Sequence, residues 1–463
     1  MTIRCVSGVR ALLAPALAIA LGAGALAAQE SAEAARPFGT LREQAARQQG
    51  WLKQRLDSIL PGLMRRYGID MWVVPMREYN EDPVFSALVS PTTFAARRRT
   101  IYVFYDRGPA NGVERIALGG SSQGGLYDAV RSTKQVSAAV GGRQAELWGD
   151  QQWQVLKSVV EARKPRVIGV DISRTFAFAD GLSAGEYEGM RRALGPKWTR
   201  RFKRAEGLPI DLIAARVPDE QRFYHDLAQL TWAVIDTMFS EHVVTPGTTR
   251  TSDLVWYFRQ RVNDLGLGTW FQPSVDVQRR GATEEQLDDD PVIQRGDVLH
   301  CDVGITALRL NSDIQHLAYV LKEGETAPPA GLVQALGRSN RLQDIVMEEI
   351  RVGRTGNEIL TSARKRMSGE GIDGTIYSHP IGLNGHGAGP LIGLWDYQEG
   401  VPGRGDHHVI PNMWFSVELQ ATTPVAEWDG QPVRMAQEED MVMGPDGVPR
   451  WAYRRQTELH LIQ

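Results

Sequence analysis

Cysteine is nearly absent. The 463-residue chain has two, Cys5 and Cys301. Cys5 falls in an N-terminal leader, so Cys301 would stand alone and no internal disulfide can stabilise the fold. Cys301 alternates with Leu299 and Val303, which assigns it to core packing. Charge of one sign is missing too: 52 basic against 55 acidic residues leave a formal net charge of −3. Without a basic field, nucleic acid and anionic membrane surfaces are excluded as partners. Arg97-Arg98-Arg99 and the basic stretch at 200–204 are too short to alter that and read as solvated faces. The acidic run at 284–290 lacks the spacing of a calcium-binding EF-hand loop. No fixed short repeat or low-complexity tract occurs.

What is present is an ordinary supply of core material: hydrophobic residues make up 42% and charged residues 23% of the chain. Arg4 and Arg10 precede an apolar run, Ala11 to Leu21, followed by Ala25-Leu26-Ala27. Charge, short apolar run and small-residue exit predict a secretory signal peptide over 1–28, cleaved after Ala27 or Ala28. The run is shorter than the roughly 20 apolar residues that span a bilayer, and no other candidate span follows. The expected location is periplasmic or secreted, with no membrane attachment after cleavage.

Short apolar strands at Met71 to Met76, Thr100 to Tyr105, Arg115 to Leu118 and Arg166 to Val170 alternate with helical stretches such as Gln152 to Ala162. That alternation predicts an α/β layer domain up to about Leu212. A boundary is expected near Ala214 to Val217, where Pro218 opens a long helix. Ser252 to Leu265 reads as a second helix closed by Gly266. Strands at Phe271 to Val277, Val298 to Ile305 and Ile314 to Leu321 follow, then helices at Leu332 to Arg351 and Glu358 to Met367.

Carboxylates stand out in the strands of the second half. Asp302 sits between Cys301 and Val303, where Asp is disfavoured. Asp313 heads the next strand, and a hairpin with a four-residue loop would put the two directly opposite. Glu418 shares a strand face with Ser416 and Gln420, and Glu438 opens a similar segment beyond the turn signal Asp429-Gly430. Carboxylates converging on one face repel unless a proton or a cation lies between them. His386 lies in Asn384-Gly385-His386-Gly387-Ala388-Gly389, where glycines let backbone approach closely and leave the imidazole accessible.

Asp302-x-Gly304 with Asp313, the Gly385-His386-Gly387-x-Gly389 loop, Glu418 and Glu438, in this order and spacing, resemble the pita-bread metallopeptidases. That superfamily includes aminopeptidase P, prolidase, methionine aminopeptidase and creatinase, and the likeness is nearest to exported Xaa-Pro aminopeptidase-like members. The resemblance implies an α/β creatinase-like N-terminal domain over 36–214 and an α+β pita-bread catalytic domain over 218–463. It implies two divalent metal ions, with Asp302 and Glu438 bridging, Asp313 bidentate on one ion, and His386 with Glu418 on the other. Manganese leads the candidates, with cobalt, zinc or iron as alternatives. Such ions would hold a hydroxide and polarise a scissile carbonyl, with Glu418 as the base. The implied substrate is a peptide or small amide, and a homo-oligomer is left open.

The chain departs from the pattern in two places. The proline-specific members carry a further histidine past the loop, where this chain has Pro390 to Tyr397 with none; the position falls near Gly393. Upstream, Gln272 to Asp276 stand where a substrate histidine is expected, and Ser274 or Asp276 could point inward. His379 is taken as the substitute proton carrier, with His300, His316, His407 and His408 as alternatives. The alternative functions are hydrolysis of a non-peptide C–N bond and a binding role on a retained scaffold. Gly120-Ser121-Ser122-Gln123-Gly124 also fits a serine nucleophile elbow, which requires a helix after the serine.

Overall fold

The computed structural model describes residues 36–133 and 146–463. The leader read at 1–28 and the linker Ala28 to Ala35 lie outside the described residues. Among the described residues no helix is long and apolar enough to cross a membrane.

The first sheet has six strands: β1 (Met71–Arg77), β2 (Arg99–Asp106), β3 (Val113–Leu118), β4 (Asp128–Val130), β5 (Ile168–Val170) and β6 (Phe202–Arg204). Their order is β4-β3-β2-β1-β5-β6. Met71 to Met76 are all buried, as expected of a central strand covered on both faces. The helices Asp150–Arg163 and Ala184–Thr199 supply Trp153, Leu156, Met190 and Trp198 to the layer against β1, β2 and β3. After β3 the chain turns through Ser122, whose Oγ accepts the Gly125 N–H at 3.3 Å, and enters β4. No helix follows Ser122, so the nucleophile-elbow reading fails.

The second sheet collects the strands of the C-terminal half. In chain order they are β7 (Ser274–Gln278), β8 (Val298–Val303), β9 (Thr306–Ala307), β10 (Leu310–Asn311) and β11 (Ile314–Val320). There follow β12 (Asp373–Ile376), β13 (His379–Pro380), β14 (Trp414–Val425), β15 (Gln431–Met443), β16 (Pro449–Trp451) and β17 (His460–Ile462). The main path runs β12-β14-β15-β11-β8-β7, with β13 on β14, β16 on β15 and β17 on β11; β9 and β10 form a separate two-stranded ribbon. Asp429 and Gly430, both at positive φ, make the turn between β14 and β15, as the sequence predicts.

Strand alternation divides each segment between two faces. Cys301 and Val303 flank Asp302 and enter a core with Leu227, Ile235, Leu254 and Phe258 from the helices Pro218–Met238 and Thr251–Asp264. Val417 and Leu419 flank Glu418 and pack with Leu342, Ile345 and Val346 of the helix Ala330–Glu349. Burial of the apolar set fixes which face the acids occupy, because a one-residue slip would invert it. Burial pushes the Cys301 thiol well up, consistent with a packing role.

Two arginines tie the halves together. Arg309, at the tip of the β9–β10 ribbon, donates to the carbonyls of Ser86, Val89, Ser90 and Thr93. The ribbon between Asp302 and Asp313 is thereby fastened to the first half. Arg55, in a π-helical turn at Arg55–Ile59, donates to Glu220 Oε1 at 2.7 Å, both side chains being buried. Removing one partner of a buried pair leaves the other charge stranded. Arg55→Met is therefore expected to lower unfolding free energy by about 3–5 kcal/mol in urea titrations, and adding Glu220→Gln to recover part of it. A loss below about 1 kcal/mol would show the pair to be energetically idle.

Candidate metal centre

One row of side chains crosses four strands. Asp302 of β8 is opposite Gln315 of β11, Gln315 opposite Glu438 of β15, and Glu438 opposite Glu418 of β14. Residues opposed across antiparallel strands project from the same face, so the row brings three carboxylates and an amide together. The register corrects the expected pairing of Asp302 with Asp313. The ribbon of β9 and β10 lengthens the connection, and Asp302 meets Gln315 two residues further on. A two-residue shift preserves the face, so Asp313 still projects into the site. Its N–H donates to Asp440 Oδ2 at 3.2 Å and its carbonyl accepts from Ser416 Oγ at 3.2 Å.

β13 brings His379 opposite Ser416, two positions along β14 from Glu418. His379 Nδ1 lies 3.1 Å from the Pro380 carbonyl, which can only accept, so the ring proton sits there. Nε2 then points its lone pair into the acids, at 3.3 Å from Glu438 Oε1, 3.5 Å from Asp313 Oδ2 and 3.9 Å from Glu418 Oε2. Burial opposes a charge on this imidazole, but the adjacent Glu438, and then Glu418, outweigh it and raise the pKa of the metal-free site. His386 lies at the open edge, its ring 4.7 Å from that of His379, 5.2 Å from Trp270 and 6.1 Å from Tyr377. Desolvation, then repulsion from His379, lowers it to about 4. The glycines let this loop lie flat on β13: a Cβ at Gly387 would stand 2.6 Å from the Pro380 carbonyl oxygen.

Burial, and then the charge of Glu438, push the carboxyls of Asp302, Asp313 and Glu418 well up. Asp302 Oδ1, Asp313 Oδ1, Glu438 Oε1 and His379 Nε2 are buried without a hydrogen-bond partner among the described residues. Each such orphan costs about 1–3 kcal/mol, more for a charged group. Three overlapping groups, Asp302/Asp313/Glu438, His379/Glu418/Glu438 and Asp313/His379/His386, place ligand-type atoms within 4.8 Å of one another. Buried, converging, unsatisfied carboxylate oxygens with one lone-pair imidazole fit a divalent cation site.

Residues 223–443 match the family described as metallopeptidase family M24. Over that span the chain has the sequence pattern of an M24 metallopeptidase domain. No curated protein matches the chain. Among solved structures, the X-Pro aminopeptidase of Thermotoga maritima MSB8 is similar at 18% identity and TM-score 0.58, covering 86% of this chain and 99% of that one. The Xaa-Pro dipeptidase of Bacillus anthracis is similar at 19% identity and TM-score 0.58, covering 89% and 99%. The N-terminal domain of the FACT complex subunit SPT16 from chickpea is similar at 12% identity and TM-score 0.56, covering 90% and 99%. At these identities the structures speak for the shared fold, which is the pita-bread fold of the M24 peptidases preceded by an α/β region.

The other histidines separate clearly. His300 Nε2 contacts Gln315 Oε1 at 2.8 Å and so touches the row at one remove. His316 faces away, toward Glu439 and His460. His407 contacts Asp211 and His408 the Gly353 carbonyl. Asp276 faces His300, whereas Ser274 is exposed beside Asp302. At Gly393, φ is +79° and a Cβ would stand 2.2 Å from the Ile376 carbonyl oxygen, so no histidine fits there without moving β12. Gln315 and Asp440 were missed from the sequence, although each lies two residues from a recognised acid and so on the same strand face.

For the acids whose pKa is raised by folding, stability is full below the ordinary carboxylate range and lost as pH rises through the raised values. Buried neutral His316 and His460, both lowered to about 3, act in the opposite sense on acidification. Comparing variant with wild type isolates the acids. Chelator-treated Asp313→Asn is expected to gain thermal stability over wild type on going from about pH 5 to about pH 8. A difference independent of pH would mean the crowded acids carry no folding cost.

Proposed function

We propose that this chain is an exported metal-dependent aminopeptidase or dipeptidase, Xaa-Pro substrates included. In this reading residues 36–214 form the creatinase-like domain and 218–463 the catalytic one, and the leader directs the protein to the periplasm or beyond. Asp302, Asp313, His379, Glu418 and Glu438 hold two divalent ions, manganese first, then cobalt, zinc or iron. The observation that carries the reading is that four orphaned buried atoms, from Asp302, Asp313, Glu438 and His379, fall in overlapping ligand groups on one face of the sheet. His379 takes the role of imidazole ligand, because its lone pair faces the acids from a buried position. His386, the ligand by family order, becomes the proton carrier at the edge.

Bound divalent ions supply Lewis-acid polarisation of a carbonyl and an acidified water. The remaining tasks fall to the chain itself. Glu418 Oε1 accepts from Gln315 at 2.9 Å, so Oε2 is the oxygen left to take a proton. His386, neutral at physiological pH, can receive that proton and pass it to a leaving amine. Trp270, Tyr377 and Trp395 form an aromatic rim around His386, with Trp395 41% exposed and 5.9 Å from Tyr377. Such a rim suits an apolar side chain or a proline ring next to the scissile bond.

A second reading, hydrolysis of a non-peptide C–N bond, is favoured by Gly393, where the backbone leaves no room for the histidine of the proline-specific peptidases. Metal analysis of the purified protein, run with a panel of Xaa-Pro and other dipeptides and small amides, separates the readings. The expected result is stoichiometric transition metal and peptide turnover abolished by chelator. Asp302→Asn should lower kcat/KM by about three orders of magnitude with the fold retained. Protein that carries no metal and stays inert after manganese or cobalt addition would sink the hydrolase reading.

A further inference from the structure

Gln315 is buried in the middle of the acid row. Its side-chain nitrogen lies 2.9 Å from Glu418 Oε1 and 2.7 Å from Glu438 Oε2. Carboxylate oxygens accept, so both N–H groups of the amide are spent on these two glutamates. Its carbonyl faces the other way, 2.8 Å from His300 Nε2, which must therefore carry a proton and donate it. His300 Nδ1 in turn faces Asp276 Oδ2 at 3.3 Å, on the wall of a cavity of about 780 Å³. Turning the amide over would set its oxygen against two carboxylates and its N–H groups against the His300 N–H. The two glutamates thus fix which end of Gln315 meets the acids, and His300 Nε2 donates to the end left over.

We propose that Gln315 is a positioning residue that reduces Glu418 and Glu438 to one available oxygen each, so that two cations bind this nest unequally. The oxygens left over, Glu418 Oε2 and Glu438 Oε1, are the ones turned toward His379. A first cation among Asp302, Asp313, His379 and Glu438 satisfies the orphaned atoms and leaves Gln315 undisturbed. A second cation that needs the other glutamate oxygens meets two N–H groups and must displace them. The inference rests on the metal reading above and deepens it: the row itself contains a neutral donor where a further ligand pair would otherwise stand.

Equilibrium dialysis of the chelator-treated full chain against Mn²⁺, with bound metal counted per chain, tests this without reference to activity. Wild type is expected to bind one ion at least about tenfold more tightly than the second, the scale of one or two lost charged hydrogen bonds. Gln315→Leu, which keeps bulk and removes both donors, is expected to tighten the second ion by about tenfold or more and leave the first nearly unchanged. Gln315→Met, a second unbranched variant without N–H donors, carries the comparison if Gln315→Leu does not fold. Two equal sites in wild type, or a gap unaltered in the folded variants, would overturn the proposal. Wild type that binds no Mn²⁺ would instead overturn the metal reading beneath it.

Discussion

Like charge held at close quarters is the constraint on which the second half of this molecule depends. Asp302, Glu438 and Glu418 stand in one row across the sheet with Asp313 a step away; Asp302 is half-buried and the other three are buried, which deprives them of solvent screening. Among the described residues, no arginine or lysine forms an ion pair with any of these four; the ion-pair contacts of Asp313, Glu418 and Glu438 all go to His379. A fold that merely needed neutral packing here would have arginine or apolar side chains in these places. The strands instead hold the acids by their neighbours, with alternate residues locked under helices, so that repulsion cannot splay the row.

Adjacent residues of one strand show what a purely structural carboxylate looks like. Glu439 points to the face opposite Glu438, where its oxygens accept from the Gln456 N–H at 2.8 Å and Trp232 Nε1 at 3.1 Å, with His316 Nε2 at 3.0 Å. Its hydrogen-bonding capacity is used within the protein. Glu438 Oε1, one residue earlier, is buried with no hydrogen-bond partner among the described residues. The two glutamates are equally buried, so burial does not distinguish them; completeness of hydrogen bonding does. Arg309 and the β9–β10 ribbon extend the same rigidity across the junction between Asp302 and Asp313, fastening it to carbonyls of the first half.

Much of this was legible in the sequence, and what was not has physical reasons. Period-two alternation around Asp302 and Glu418 gave the faces, because apolar neighbours must be buried whatever the partner strand. Asp429-Gly430 marked its turn because both residues tolerate positive φ. The register of Asp302 was misread because a hairpin's register follows its loop geometry, and the small ribbon at β9–β10 has no strong turn signature. The sequence ranks His386 as the ligand from its glycine loop and family order; that His379 also turns a ring nitrogen to the acids depends on its contact with the Pro380 carbonyl, a tertiary detail. Gln315 was passed over because a glutamine in a strand carries no chemical signal until the groups across it are known to be acids.

The central claim is that the acid row with His379 is a divalent cation site. Crystals grown with Mn²⁺ and measured at its absorption edge test it most directly. The account predicts an anomalous peak in contact with Asp302, Asp313, Glu438 and His379 Nε2. A peak held by His386 with His379 uninvolved, or none at the row in crystals saturated with metal, would contradict it.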